Sequence, residues 1–365
     1  MYPVISVNLS KLVHNALWIN KLCHAKGIEP YIVTKGIGAD MDVIEALFSA
    51  GITKFADSRL QNLKKIRQAF GSHVSLMMIR TPLLSEAEET AAICDVSLNS
   101  EWRTLAALGK AAAAFGVEHR VILMAEMGDL REGVLPESLP ELAVFAHSTK
   151  GITCEGIGAN FTCFSGVIPT EQTMKNVSDL VAKVEAETMI EMPVLSGGNS
   201  STLPLLLQNK PLGRVNQLRI GEAVWLGKET AYGTPISGLY QDAFTLSAEI
   251  IEIQTKPTLP RGLIGVDAFG RTPEFHDRGD RLRAIVAIGR QDIDIDSLAP
   301  IGINAHVLGG SSDHLILDIT DAAPLNVGDT VDFSLGYGAL QSGMLSPFIK
   351  KKLSYDSVIQ KAIAL

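Results

Sequence analysis

Apolar residues follow two different spacings in the first two-thirds of the chain. Short apolar and β-branched runs alternate with longer segments in which apolar residues recur every three or four positions. The first spacing is typical of buried strands, and the second is typical of helices that pack on one face. The runs predict strands at residues 31–34, 54–57, 74–79, 95–98, 120–125, 154–160, 193–195 and 217–220. The amphipathic segments predict helices at residues 41–50, 60–69, 86–93, 101–115, 139–148, 171–187 and 202–208.

The alternation of strands and helices predicts the fold class. Strands joined by helices form βαβ units, and such units build a parallel sheet. Eight such units within residues 10–237 predict a (β/α)8 barrel of the TIM type. A doubly wound open sheet shows the same alternation, and the number of strands alone does not distinguish the two.

The pattern changes after residue 237. The segments AFTLSAEIIEI, RLRAIVAIG, HLILDI and TVDFSLGYGAL are rich in β-forming residues and are separated by Gly, Pro and Asp. Few of them have a helical spacing, so residues 238–365 predict a second, mostly-β domain. The first strand, within residues 1–9, precedes the barrel and is expected to pair with this second domain.

Composition and charge narrow the class of protein. Apolar residues make up 46% and charged residues 20% of the chain, as in ordinary globular proteins. The net charge of −8 argues against a nucleic-acid partner, which needs a basic surface. No apolar run reaches the roughly 20 residues that cross a bilayer, and the N-terminal segment lacks the features of a secretory signal. We therefore expect a cytoplasmic protein with no membrane partner.

Polar residues that could bind a ligand or take part in a reaction follow the predicted strands. In a barrel the functional side chains lie at the C-terminal ends of the strands. The segment SGGNSS, residues 196–201, follows the seventh strand and offers backbone N–H groups and hydroxyls, as phosphate sites do. Lys35 ends the first strand, and beside a phosphate site it could bond covalently to a phosphorylated aldehyde. A lysine whose stem packs and whose head reaches water is the alternative.

The chain resembles the fold type III pyridoxal-phosphate (PLP) enzymes of the alanine racemase superfamily, and most of all the ornithine/alanine-type racemases. The matching segments cover nearly the whole chain: VTKGIGAD, FADSRLQNL, SLNSEW, MGDLREGV, GANFTCFSGVIPT, SGGNSSTLP, LRIGEAVWLGKETAYG, VDAFG, AIVAIGRQDIDID, LGGSSDHLILD and LGYGAL. The resemblance implies PLP as cofactor, no metal, and an amino acid as substrate, with ornithine or a similar basic amino acid favoured and alanine or serine possible. It also implies a head-to-tail homodimer in which the second domain contributes to the partner's active site.

Roles for residues of the barrel follow from the same resemblance. Lys35 is expected to hold PLP covalently and to remove the Cα proton of the bound amino acid. Arg219 is expected to face the pyridine nitrogen, Arg131 the phenolic oxygen and Asn160 the ring face. The phosphate contacts are expected from Asn199, Ser200, Gly221 and Glu222, the last through its backbone N–H alone.

Racemisation needs a second acid/base on the opposite face of Cα, because one base returns the proton to the face that it left. The tyrosine that supplies it in alanine racemases has no match here, and the candidates are Asp267, His314 and Tyr337. Asp267 acts as an acid only if burial beside Phe269 raises its pKa, and the alternative for it is a turn residue. The alternative for Tyr337 is a core aromatic of the β domain.

Two further features bear on the substrate and on rival functions. Ser312 and Asp313 match the region that reaches toward the substrate in the family, where a carboxylate could pair with the distal ammonium of ornithine or lysine. Cys163 is expected to be a buried small apolar residue, and the four cysteines form no CxxC, so neither a metal site nor a disulfide framework is indicated. A PLP-dependent decarboxylase is one alternative function, although the β domain lacks the cysteine that those enzymes place there. A non-catalytic PLP-binding protein is the other, although such proteins resemble the barrel alone.

Overall fold

The computed structural model describes residues 2–359, and its chain divides into two compact units. One unit contains residues 10–241, and the other contains residues 2–9 together with residues 242–359. The end of the predicted second domain, residues 360–365, lies outside the described residues. Within residues 2–359, no helix is both long enough and apolar enough to cross a membrane.

Residues 10–241 form a closed barrel of parallel strands. Its strands are β2 (Glu29–Val33), β3 (Lys54–Asp57), β4 (Ser75–Met78), β5 (Val96–Asn99), β6 (His119–Ala125), β7 (Ile152–Ala159), β8 (Val194–Gly197) and β9 (Gln217–Ile220). Each strand pairs with the next, and β2 pairs with β9, which closes the sheet. The predicted barrel is therefore confirmed, and the open sheet is excluded.

Helices surround the barrel strands. They are α1 (Leu9–His24), α2 (Met41–Ser49), α3 (Leu60–Phe70), α4 (Ala87–Ile93), α5 (Trp102–Phe115), α6 (Leu139–Ser148), α7 (Glu171–Thr188), α8 (Leu203–Leu207) and α9 (Glu222–Leu226). Helix α1 was not predicted, although the buried apolar residues of this helix recur at helical spacing: Leu9, Leu12, Val13, Ala16, Ile19 and Cys23. The N-terminal strand was predicted within residues 1–9, whereas the observed strand ends at Asn8 and the helix begins at Leu9.

The inside of the barrel is filled by alternate residues of the strands. Successive side chains of a strand point to opposite faces, so every second residue faces the barrel axis. One buried cluster follows this period around the barrel: Tyr31, Val33, Ala56, Met77, Val96, Leu98, Ile122 and Met124. Long apolar side chains therefore occupy the axis, and polar chemistry is confined to the rims.

The seam between β8 and β9 depends on side chains. These two strands share one paired position, Ser196 with Gln217. The Asn216 side chain supplies two further bonds, since its Oδ1 accepts from the Leu195 N–H at 2.9 Å and its Nδ2 donates to the Pro193 carbonyl at 2.7 Å. Asn216 therefore replaces ladder hydrogen bonds that the two strands do not make.

The second unit is built around a sheet. Its strands are β1 (Val4–Asn8), β10 (Phe244–Pro257), β11 (Asp280–Val286), β12 (Leu298–Pro300), β13 (His306–Gly310), β14 (Leu315–Asp318), β15 (Thr330–Leu335) and β16 (Lys350–Ser354). The order β12-β15-β10-β11-β14-β13 is antiparallel throughout, and β1 joins β10 to β16. A mostly-β second domain is therefore confirmed.

A helix occupies the second half of the segment TVDFSLGYGAL, which was described from the sequence as rich in β-forming residues. The strand β15 alternates buried and exposed residues only as far as Leu335. Helix α10 (Tyr337–Leu345) follows, and its buried residues are Ala339, Leu340, Gly343 and Met344. This helix was not predicted, although the apolar period changes from two to about four at Gly336.

A long loop of this unit carries exposed apolar side chains. Residues 258–279 connect β10 to β11 without a helix or strand of their own. Leu263 is fully exposed, and Ile264, Val266 and Phe269 are each about half exposed or more. Loops of this length that expose apolar residues are commonly binding segments.

Candidate active site

The predicted barrel residues meet at one rim. Parallel strands place all their carboxyl ends on the same side of a barrel. On this rim lie Lys35 after β2, Arg131 after β6, Asn160 after β7, Asn199 and Ser200 after β8, Arg219 in β9, and Gly221 and Glu222 after β9. The fold therefore brings together residues that are far apart in the sequence.

Lys35 is positioned by a tight turn at the end of β2. Thr34 leaves the strand with φ −91° and ψ −9°, and Lys35 then begins a 3-10 turn over Lys35–Ile37. The side chain is partly buried, and within residues 2–359 its ammonium has neither a hydrogen-bond nor an ion-pair partner. The amine is therefore available to a ligand.

Asp57 anchors the turn that carries Lys35. Its carboxylate is fully buried and accepts a hydrogen bond from Thr34 Oγ1 at 2.6 Å and another from the Arg59 N–H at 2.8 Å. Burial raises the pKa of Asp57, and the hydrogen bonds that it accepts oppose the rise. Because Thr34 immediately precedes Lys35, this buried carboxyl group fixes the path of the chain into the lysine.

Arg219 is a buried cation whose direct partners are all neutral. Its Nη1 donates to the Ser196 carbonyl at 3.2 Å and to the Ser196 hydroxyl, and its Nη2 donates to the Ala159 carbonyl and to Asn160 Oδ1, both at 2.8 Å. Burial lowers the pKa of Arg219 to about 10, so the guanidinium keeps its charge at neutral pH. These four bonds use both terminal nitrogens and leave the Nε–H without a hydrogen-bond partner within residues 2–359.

Arg131 is held by its neighbour in the sequence. Glu132 accepts from Arg131 through Nε and, at 2.5 Å, through Nη2. Burial lowers the pKa of Arg131, but the hydrogen bonds and the negative charge of Glu132 outweigh this effect, and the net pKa is raised. The same carboxylate accepts from Asn160 Nδ2 at 2.6 Å. Glu132 therefore connects Arg131 to the residue that contacts Arg219.

The loop around Arg131 is wrapped on another carboxylate. Glu126 Oε1 accepts from the N–H groups of Gly128 and Leu130, and its Oε2 accepts from the Arg131 N–H. Gly133 has φ +141°, and a Cβ there would lie 2.7 Å from the Glu126 nitrogen. Glycine is therefore required where the loop returns to the strand.

Cys163 is exposed, so the expectation of a buried residue is wrong. Asp129 fixes the backbone of the loop after β7, because its Oδ1 accepts from the N–H groups of Cys163, Phe164 and Ser165. Arg131 Nη1 lies 2.5 Å from the Cys163 sulfur. The thiol is thus at the rim of the barrel, beside a site arginine.

The segments after β8 and β9 form a small, donor-rich cradle. The Ala223 N–H donates to Ser200 Oγ at 3.3 Å, which joins the two segments. Gly198 has φ +110°, and a Cβ there would lie 2.7 Å from Thr202 Oγ1. Ser201 Oγ is buried and has no partner in the described part of the chain. This cradle of hydroxyls, backbone donors and obligatory glycine fits a phosphate group.

Asn199 and Glu222 take different places in this cradle. The amide of Asn199 is engaged in the protein, since Nδ2 donates to the Phe161 carbonyl at 2.8 Å and Oδ1 accepts from the Ser201 N–H at 2.8 Å. Glu222 is partly buried, and burial raises the pKa of its carboxyl group to about 7. A phosphate contact from Glu222 would use its backbone N–H, as the resemblance implies.

Asp267 does not have the environment that was expected for an acid. It is exposed, and its Oδ1 accepts from the N–H groups of Phe269 at 2.9 Å and Arg271 at 2.8 Å. These backbone bonds, with the charges of Arg271 and Arg290, lower the pKa of Asp267. Within the single chain Asp267 therefore organises a turn, which is the alternative stated for it.

The other candidates of the β unit lie in two places. His314, Ser312 and Asp313 are exposed in the turn between β13 and β14, where Asp313 Oδ1 accepts from Gln291 Nε2 at 2.8 Å. Tyr337 is half-buried at the first position of α10.

Sequence reasoning placed Asp57 at the end of its strand without giving it a role, and it missed two other carboxylates that arrange the rim, Asp129 and Glu132. Glu132 directly follows Arg131 in MGDLREG, and an acidic neighbour of a site arginine was the available signal. Nothing in the sequence shows that Asp129 meets the loop after β7, because that contact spans more than thirty residues.

Comparisons with known proteins identify the family of this chain. The alanine racemase N-terminal domain model matches residues 7–229. The chain is 43% identical over 355 residues to an ornithine racemase of Acetoanaerobium sticklandii, covering 97% of this chain and all of that one. It is 36% identical over 352 residues to a lysine racemase of Thermotoga maritima, covering 96% of this chain and 98% of that one.

A solved structure shares the fold over the full length. An alanine racemase of Bartonella henselae, solved with covalently bound PLP, aligns with a TM-score of 0.71 at 14% identity, covering 97% of this chain and all of that one. At this identity the likeness is one of fold. On the matched model and the two close relatives, the chain belongs to the alanine racemase N-terminal domain family.

Proposed function

We propose that this protein is a PLP-dependent amino-acid racemase that interconverts the enantiomers of ornithine or a similar basic amino acid. Its cofactor is PLP, as in its family, and its substrate is an amino acid. The two relatives of 43% and 36% identity are named for ornithine and lysine, which supports a basic substrate. The Nε–H of buried Arg219 is the observation that carries the proposal.

The Arg219 guanidinium suits removal and return of a proton. When bound, PLP withdraws electrons from the Cα of the attached amino acid and makes its proton removable. Arg219 would face the ring nitrogen through its Nε–H. A guanidinium only donates, and with a pKa of about 10 it keeps its own proton at neutral pH. An unprotonated ring nitrogen withdraws electrons less strongly. This limited withdrawal favours racemisation over reactions that need a stronger electron sink.

Lys35 supplies the acid/base on one face of Cα. Its amine has no competing partner in the described chain, and Asp57 fixes the turn from which it projects. The opposite face needs a second group from the β unit. Asp267, His314 and Tyr337 are the candidates for that group, and Asp267 lies in the exposed 258–279 loop.

We extend the proposal to a head-to-tail homodimer in the cytoplasm. The exposed apolar side chains of the 258–279 loop are suited to burial against a second copy. That loop also carries Asp267, so docking would bring β-unit residues to the partner's barrel rim. The four free cysteines fit a reducing compartment.

The test is Cα deuterium exchange in D2O. Holoenzyme is incubated with L-ornithine, L-lysine, L-arginine, L-alanine and L-serine, and the mass and chirality of each amino acid are read together. We expect ornithine or lysine to gain one deuterium and invert, and the Lys35→Ala variant to do neither. Inversion by Lys35→Ala would contradict the role of Lys35.

The other outcomes identify the rival functions. Release of CO2 and an amine would replace the racemase with a decarboxylase. A protein that binds PLP but exchanges no Cα proton of any amino acid would be a PLP-binding protein. Full activity at concentrations where sedimentation shows only monomer would overturn the shared-site dimer.

A further inference from the structure

Glu132 lies between the two arginines of the barrel rim. It accepts two hydrogen bonds from Arg131 and one, at 2.6 Å, from Asn160 Nδ2. Asn160 Oδ1 in turn accepts from Arg219 Nη2 at 2.8 Å. One carboxylate is thus connected directly to the first arginine and through a single amide to the second.

Donor and acceptor rules make this connection directional. A guanidinium only donates and an ionised carboxylate only accepts, whereas an amide offers one of each. Asn160 therefore satisfies both neighbours in a single orientation, with its oxygen toward Arg219 and its NH2 toward Glu132. If the amide flipped, the NH2 would face a guanidinium N–H, and Arg219 would lose one of the four bonds that fix its plane.

Charge supports the same arrangement. The direct partners of Arg219 are neutral, so the cation depends on a charge farther away. Glu132 raises the pKa of Arg219, whereas Arg131 lowers it. Glu132 thus acts on both cations, whereas Asp129 lies 4.0 Å from Arg131 Nε. With 21% of its side chain exposed, Glu132 is largely shielded from solvent.

We propose that Glu132 is a positioning residue of the proposed racemase. Its carboxylate holds Arg131 in place and, through the Asn160 amide, fixes the direction in which the Arg219 Nε–H points toward the bound cofactor. Glu132 itself contacts neither the cofactor nor the substrate. This inference rests on the proposed function, because it assigns a purpose to the orientation of Arg219.

The test uses holoenzyme carrying Glu132→Gln, with Glu137→Gln as the matched control. Glutamine keeps the length of the side chain, but its amide can donate or accept, so it no longer dictates the orientation of Asn160. Glu137 is an exposed carboxylate five positions away, in the 3-10 turn Pro136–Ser138. The readouts are the absorption spectrum of bound PLP from pH 6 to 10, kcat, KM and the melting temperature.

We expect Glu132→Gln to shift the absorption maximum of bound PLP or its pH midpoint and to lower kcat on the order of 100-fold, as misplacement of a site group does. KM should change less than kcat. Glu132→Asp keeps the charge and should restore part of kcat. The spectral changes of Glu132→Gln and Asn160→Ala should be non-additive in the double variant, because both act on Arg219.

Three results would overturn the inference. The first is a Glu132→Gln holoenzyme with wild-type spectrum and kcat. The second is a lowered melting temperature with an unchanged spectrum, which would make Glu132 merely structural. The third is strict additivity with Asn160→Ala. If Glu132→Gln does not fold, an unchanged spectrum in both Glu132→Asp and Asn160→Ala would decide against it. Failure of the wild type to exchange a Cα proton would refute the proposed function instead.

Discussion

The Glu222 carboxyl group gives a pH-dependent prediction that can be worked through. Burial raises its pKa from 4.5 to about 7, with opposing effects from Lys228 and Glu229. In the unfolded chain the same group ionises near its ordinary value. Between about pH 4.5 and pH 7 the folded state therefore holds a proton that the unfolded state has lost. This difference destabilises the fold progressively as the pH rises through that window.

The size of the effect follows from the two pKa values. A rise from 4.5 to about 7 corresponds to about 3 kcal/mol of stability, lost in full above about pH 7 and absent below about pH 4.5. Partial exposure of Glu222 lets water screen the charge, so this value is an upper limit. The Glu222→Gln variant carries no charge and should escape the loss.

Urea unfolding of the apoprotein followed by tryptophan fluorescence measures this difference. The three tryptophans, Trp18, Trp102 and Trp225, all lie within residues 10–241, so the signal reports the barrel unit. We expect Glu222→Gln and the wild type to be equally stable near pH 4.5, and the variant to be more stable at pH 8 by up to about 3 kcal/mol. The control is Glu191→Gln, which removes an exposed carboxylate.

A stability difference that is the same at pH 5 and pH 8 would refute the reasoning, because a pKa shift must produce a pH-dependent difference. The same group should also link PLP affinity to pH. A phosphate in the cradle disfavours the Glu222 anion, so cofactor binding takes up a proton and weakens as the pH rises above 7. Glu222→Gln should flatten that dependence.

Three further predictions concern single side chains. Under native conditions one thiol, Cys163, should react with a thiol reagent, and all four should react after unfolding. The reason is that burial raises the pKa of Cys23, Cys94 and Cys154 to about 12. Rapid labelling of a second thiol in the native protein would contradict this. Asp313→Asn should raise KM for ornithine on the order of tenfold while leaving KM for alanine unchanged, as expected for loss of a charge pair; equal effects on both substrates would argue against ammonium recognition. Asp267→Asn should slow exchange from one enantiomer more than from the other, and an unchanged rate in both directions would remove it as the second acid/base.

The fold could be predicted because the spacing of apolar residues that marks each strand is a local property of the sequence. All eight barrel strands were predicted, and those at Lys54–Asp57 and Gln217–Ile220 have the predicted ends. Fully buried parallel strands are continuous apolar runs, and such runs need no knowledge of distant residues. The prediction failed at α10, where Gly336 separates a strand from a helix within one apolar stretch.

The site was less predictable, because its polar contacts join distant loops. Lys35 was found from its position at the end of a strand, and Asn160 was assigned through the family resemblance. The partners that orient them were not found, since the Glu132–Asn160 contact spans 28 residues and its direction depends on side-chain geometry. The exposure of Cys163 was missed for the same reason, because the backbone of its loop is fixed by a hydrogen bond to the distant Asp129.

The hydrogen bonds of Arg219 also have a consequence for how this barrel can diversify. The same guanidinium bonds to Ser196 of β8 and to the Ala159 carbonyl of β7, close to the seam where β8 and β9 share a single paired position. If Arg219 faces the ring nitrogen as proposed, a carboxylate at position 219 would stabilise a protonated ring nitrogen and so a stronger electron sink, but the hydrogen bonds to Ser196 and Ala159 would be lost. A relative that changed its reaction in this way would first need other contacts between β8 and β9 to replace these hydrogen bonds. Under the proposed role, the side chain that sets the electron demand of the cofactor therefore also helps to close the barrel.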